Sequence, residues 1–441
     1  MKAISGGKEL LSGRVHSASL LAAVFFYTAL YTAVYSALPA FSQGPGEGRR
    51  PGAAPVQLPE GNGKVVVEKV CSNCHPLERV VAARYTREDW QATINRMIAY
   101  GAILTGDDVP VVVEYMTRNY LGQPRPAGVL LPGSVEVSIK EWTVPTPGSR
   151  PHDPLVAPDG SVWYTGQMAN VMGRFDPKTE QFKEYRLKTE RSGPHGLVAD
   201  KEGNIWFTAQ SGSYVGKLDP KSGEVTEYKM PDPKARDPHT PIIDHNGTVW
   251  FTLQGASMVG RINPKTGEVK VVPTPTPRAN PYGMAVNSKG VVFFCEFRTN
   301  KLASIDAETM EIREYTLPNP ETRPRRIAVT PDDAIWYSDY SRGYLGRYDP
   351  KTGAAKEWPS PSGAKSQPYG IAAVGNILWY SESGVSKNTV VRFDPKTEKF
   401  QTWLIPSGGG VVRNMVAAKD GNLWLATSGV NGIAKVEVKG N

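Results

Sequence analysis

Residues 194–230 read PHGLVADKEGNIWFTAQSGSYVGKLDPKSGEVTEYKM, and this stretch decides the fold. It holds short β-forming runs cut by turn signals. The run Pro194-His195-Gly196-Leu197-Val198 reaches a turn at Glu202-Gly203, and Ile205-Trp206-Phe207-Thr208 follows. The chain then turns again at Asp219-Pro220-Lys221 before a last alternating run. Four short strands in such a unit make a propeller blade. The unit recurs at Pro151, Pro194, Pro238, Pro281, Pro324 and Pro368, with Val412 in the seventh place, in steps of 43 or 44 residues. Each copy carries one central aromatic residue: Trp163, Trp206, Trp250, Phe293, Trp336, Trp379 and Trp424. The 44 glycines and 37 prolines of the 441 residues suit a chain this rich in tight turns. The expectation is an all-β seven-bladed β-propeller over residues 135–439.

Closure can also be read. The seventh copy ends after its third strand at Glu437-Val438, and an unassigned strand lies at the other end, over 136–144. That strand is expected to complete the last blade and leave no open edge. First strands start at the end of the blade where second strands finish. His152, His195 and His239 follow the starting prolines of blades one to three, and Glu296, Asp339 and Glu382 end the second strands of blades four to six. These six groups are expected around one mouth of the central channel. Tyr282, Arg325, Tyr369 and Arg413 take the first-strand position in the other blades. Histidines facing carboxylates could hold a divalent ion or do acid–base work, or they could hydrogen-bond neighbouring blades. Cys295, mid-strand beside Glu296, reads as a small buried thiol.

The repeats resemble the virginiamycin B (streptogramin) lyase family, on Pro194-His195-Gly196, Ile205-Trp206-Phe207-Thr208 and Val259-Gly260-Arg261-Ile262. The resemblance implies Mg²⁺ held at the mouth and a histidine base that opens a cyclic depsipeptide by elimination. Its catalytic set maps onto His195, Asp237 and His239, with Glu296 as a further candidate for the ion. The family's glutamate at the end of the second strand of the same blade is Leu253 here, a departure that weakens this reading.

Upstream of the propeller lies a different chemistry. Cys71-Ser72-Asn73-Cys74-His75 is a C-x-x-C-H motif. Two thiols one helical turn apart can each bond one porphyrin vinyl group, and His75 can then meet the iron. A zinc site would want more cysteine or histidine nearby, and a redox dithiol would want a βαβ setting. The flanks read as helices: 62–69, a start at Thr86-Arg87-Glu88-Asp89, and another at Thr105-Gly106-Asp107-Asp108. Residues 60–122 resemble a small all-α monohaem cytochrome c domain, which implies one covalent haem c per chain. Met97 is favoured over Met116 as the second axial ligand.

Lys2, Lys8 and Arg14 precede an uncharged, largely apolar segment centred on 20–38. Residues 1–42 therefore read as a signal peptide, cut after Ser42, or as a membrane anchor, followed by a flexible linker over 43–59. Either places the rest of the chain in a bacterial periplasm or facing it. Lys and Arg number 51 against 43 Asp and Glu, a net +8 with no basic block, so no nucleic-acid arm is expected. The leading expectation is an exported electron-transfer protein whose propeller docks a redox partner protein or binds a small-molecule ligand. A Mg²⁺-dependent lyase with an accessory haem and a non-catalytic binding module are the alternatives.

Overall fold

The structure, a computed structural model, describes residues 56–73, 77–99 and 102–439. The leader over 1–42, most of the linker over 43–59, and Cys74 and His75 lie outside the described residues. Among those described, no helix is long and apolar enough to cross a membrane.

Seven four-stranded antiparallel sheets form the propeller. Six are contiguous in sequence, spanning 151–186, 194–229, 238–273, 281–316, 324–359 and 368–404. The seventh combines Val412–Ala417, Leu423–Thr427 and Gly432–Lys439 with Glu136–Thr143 as its outer strand. Glu136 pairs with Lys439 and Thr143 with Gly432, so the first and last strands of the propeller zip together.

The core lies between blades. Trp163 of blade one packs with Leu197 and Phe207 of blade two. Trp250 packs with Met284 and Phe294, Trp336 with Ile371 and Tyr380, and Trp379 with Met415 and Leu425. Trp424 of blade seven meets Val162 and Phe175 of blade one, which closes the ring. Burying an aromatic side chain of this size against its neighbours contributes roughly 2–3 kcal/mol. The third-strand glycine makes room for the second-strand ring paired opposite it, the neighbour of the central aromatic. A Cβ on Gly173 would stand 1.9 Å from the Tyr164 ring, and one on Gly260 would stand 2.4 Å from Phe251.

Four helices precede the propeller: α1 (Lys64–Cys71), α2 (Leu77–Ala82), α3 (Arg87–Ala99) and α4 (Asp108–Asn119). Their starts follow the capping chemistry in the sequence. Thr86 accepts from the Asp89 amide at 3.1 Å. Thr105 and Asp108 exchange side-chain and backbone bonds at 2.9 and 3.2 Å, a reciprocal capping box. Val67, Trp90, Ile94, Val112, Val113 and Met116 form their core. Trp90 donates to the Tyr120 carbonyl at 3.1 Å.

Residues 123–135 then run as a strap along blade six. Leu131 N–H donates to Thr402 Oγ1 at 2.7 Å, and the Thr402 N–H donates to the Leu131 carbonyl at 3.0 Å. The Pro126 carbonyl accepts from Ser386, and Arg125 joins the Gly410 carbonyl to Asp89 of α3, both at 3.3 Å. Ser386 and Gly410 stand in loops at the end of the propeller where first strands begin, so the strap ties the helices to that face.

Candidate functional site at the channel mouth

Every first strand begins with a register shift, between Pro151 and Pro154 in blade one and at the equivalent places in the other six. Such a bulge re-aims a side chain and leaves a backbone N–H without its ladder partner. A second-strand hydroxyl meets that N–H. Thr165 accepts from Asp153 N–H and donates to the His195 carbonyl of the next blade. Thr208 and Thr252 do the same, ending on the carbonyls of His239 and Tyr282. Ser338 repeats it in blade five. In blade four Cys295 takes this place, accepting from Gly283 N–H at 3.2 Å and donating to the Arg325 carbonyl at 3.1 Å. Its thiol is a stitch between blades, and burial pushes it up to about 12, far from a reactive thiolate.

The re-aimed residues form a ring of one per blade: His152, His195, His239, Tyr282, Arg325, Tyr369 and Arg413. Centroids of His152 and His195 are 3.6 Å apart, His195 and His239 3.7 Å, and His239 and Tyr282 4.0 Å. The Tyr282 and Tyr369 hydroxyls share a hydrogen bond at 2.6 Å, and the Arg325 guanidinium lies 3.7 Å from the Tyr369 ring centre. All three histidines are buried. Burial holds each well below the usual imidazole range, and the guanidinium groups of Arg413 and Arg326 at the mouth add to it, as does each neighbouring imidazole, which disfavours a second proton beside it. The three are neutral at pH 7.

The expected carboxylates do not join them. Glu296 accepts from the Thr299 hydroxyl, Asp339 from the Arg323 amide, and Glu382 from Ser360 and Thr389 and from the Ser362 amide. They close loops on the same face, and none of them joins the histidines in a cluster of potential ligand atoms. Burial, then the neighbouring Glu314, pushes Glu296 up to about 8. Asp237 stands before His239 in a left-handed backbone conformation, φ 64°. Its carboxyl lies against Gly255 and Gln210, and burial raises it to about 6. Leu253 is fully buried.

Among the described residues, the set whose potential ligand atoms all lie within 4.8 Å of one another is His152, Asp153 and His195. It differs from the expected His195, Asp237, His239 and Glu296. One oxygen of Asp153 takes bonds from both His152 Nδ1 and Arg326, each at 2.8 Å. A hard divalent ion wants free carboxylate oxygens, and this carboxylate is already neutralised by a guanidinium. The donor set at the mouth therefore fits Mg²⁺ poorly. Asp153 and Arg326 escaped the sequence reading because it followed what the blades share. Both stand one place after the ring residue, where other blades have Gly196, Gly283 and Gly370, and that departure was the available signal.

At the helical part, Cys71 ends α1 and packs, half-buried, with Leu77, Val80, Val81, Ile98 and Leu104 against the core. Met97 is half-buried on α3, and Met116 sits deep in the helical core.

Comparison with known proteins bears on the propeller. No curated protein matches the chain in sequence. A solved streptogramin B lyase is 25% identical, with 69% of this chain and 98% of that one covered and a TM-score of 0.63. A catalytically inactive virginiamycin B lyase from Staphylococcus aureus, solved with quinupristin, is 24% identical over 68% and 99% of the two chains, with a TM-score of 0.62. Hydrazine synthase from Kuenenia stuttgartiensis shares the fold alone, at 16% identity over 66% of this chain and 96% of that one, TM-score 0.54. The virginiamycin B lyase family matches over residues 132–305 and 272–441, which together take in every blade described above. By that match, the chain belongs to the virginiamycin B lyase family.

Proposed function

We propose that the channel mouth is the active site of a lyase acting on an ester-bearing cyclic peptide, in an exported protein whose helical part carries one covalent haem. Family membership supports the lyase reading over pure electron transfer. The observation that carries it is the stack of His195 and His239, 3.7 Å apart and neutral, at the one place where all seven blades converge. A neutral imidazole can take the proton α to a carbonyl. The freed electron pair forms a C=C bond, the C–O ester bond breaks, and the carboxylate leaves. The imidazolium then returns its proton to solvent. No step is drawn through Mg²⁺, because Asp237 lies against Gly255 and Gln210, Glu296 is bonded by Thr299, and Asp153 is held by Arg326.

Cys71 and Cys74 would bond the haem, and His75 and Met97 would hold its iron. When bound, haem supplies one-electron transfer. A second reading follows: a redox protein that docks a partner or ligand at the mouth. It is favoured by the strap, which fixes the helices to the mouth-side face through Arg125.

The full chain is offered quinupristin as probe. Elimination yields a linear product of unchanged mass and new chromatographic retention. We expect that product, and at least a hundredfold loss of it in His195→Ala and His239→Ala. A haem that changes redox state with ligand, while the ring stays closed, overturns the lyase reading in favour of the second.

A further inference from the structure

Two cations of the ring lack a counter-charge. Arg326 rests on Asp153 at 2.8 Å, and Arg342 forks onto Glu357 at 2.9–3.0 Å. Among the described residues, Arg325 and Arg413 have no such acid, and the Nε of each is buried with no hydrogen-bond partner. Arg325 is held instead by aromatic faces: Tyr369 at 3.7 Å, Tyr340 at 4.1 Å, Phe297 at 4.9 Å and Tyr282 at 5.2 Å. Those faces fix the guanidinium and stabilise it, but they carry no net charge.

Tyr369 lies between the two arginines in the ring and reports the imbalance. Burial alone would raise its hydroxyl, yet Arg325, Arg413 and Arg326 together, with the hydrogen bond from Tyr282, hold it below the usual phenol range. A guanidinium partly withdrawn from water, with its Nε buried and no acid beside it, is costly, so a protein that keeps two of them has a use for the charge. Arg325 and Arg413 are only half-buried, as are Phe297 and Tyr340 beside Arg325, so all four are open to a molecule arriving from the face.

We infer that the mouth binds an organic carboxylate, its charge taken by Arg325 and Arg413 and its apolar body laid against Phe297 and Tyr340. A planar guanidinium matches a carboxylate as a two-pronged donor, and the aromatic pair selects against a bare inorganic anion. The site stands on charge and geometry and does not require turnover. Where turnover occurs, it receives the carboxylate that ester cleavage releases.

Phenylacetate is the probe, titrated calorimetrically into the full chain beside phenylacetamide and inorganic phosphate. Phenylacetate should bind at least tenfold more tightly than the neutral amide or phosphate. Arg413→Gln and Arg325→Gln should each lose tenfold or more. Arg413→Lys, which keeps the charge and loses the fork, should lose several-fold, and it decides the matter should the Gln variants not fold. Equal binding of acid and amide, tighter binding of phosphate, or phenylacetate affinity unchanged in Arg413→Lys overturns the site. Failure to open quinupristin leaves the site intact, and absence of phenylacetate binding overturns it whatever quinupristin does.

Discussion

His195 has no partner for its Nδ1 because the residue after it is glycine. His152 has Asp153 there, and His239 has Thr240 at 2.9 Å. One ring position in three blades thus yields three differently held imidazoles, all depressed by burial. The consequence for pH has a definite sign. Unfolded, each histidine returns to about 6.5, so the unfolded chain binds more protons below that pH. Their contribution to stability is complete above about 6.5 and is lost as pH falls through 6 and 5, at up to about 1.4 kcal/mol per pH unit for each proton. Glu296 and Asp237, raised in the fold, act in the opposite sense as pH rises toward 8 and 6. The histidine part is isolated by comparing urea midpoints from pH 4 to 8 in the wild type and in His195→Gln/His239→Gln. The double variant should lose about two-thirds of the histidine-linked acid slope, whereas an unchanged slope would show that the imidazoles are protonated in the fold. At this scale the sequence told which residue types reach the mouth, because repeat position sets depth along a strand. It did not tell where a carboxyl would turn. Glu382 is taken by Ser360, Ser362 and Thr389, partners supplied by one loop and a strand whose approach no spacing encodes.

The outer strand of blade seven, Glu136–Thr143, shows what was legible among elements. A missing fourth strand at one end and a spare one at the other leave a single solution that buries both edges. Deleting 134–145 should therefore expose Gly432–Lys439 as an open edge. The expected result is a lower melting temperature and concentration-dependent aggregation by light scattering. A monomeric variant melting as the wild type does would show that the pairing adds little. The strap over 123–135 was not legible. It is bound through main-chain groups and the side chains of Thr402, Ser362 and Arg125, and a stretch rich in proline and glycine carries no periodic signal of where it lies. Gly128 and Gly133 mark its close approach. A Cβ there would come within 2.6 Å of Thr389 and 2.0 Å of Gln401.

For the whole molecule, sequence periodicity was enough to number the blades, since packing between blades repeats at a fixed step and each Trp or Phe marks one. The helical part had one motif and no repeat, so its reading rests on Cys71 to His75. Expressed with a c-type maturation system, the chain should hold one covalent haem, and Cys71→Ala/Cys74→Ala should hold none, by haem staining of denatured gels. A zinc-loaded, haem-free chain would sink this. The zipped pair of Glu136–Thr143 and Gly432–Lys439 also sets an order of events in synthesis. A ribosome delivers the first of these strands nearly three hundred residues before its mate. Blades one to six can form hairpin by hairpin as they emerge, but the ring cannot shut until Gly432–Lys439 has been made. A chain stopped before Gly432 would thus carry six complete blades and an unmated Glu136–Thr143, an open strand edge that quality-control proteases can attack.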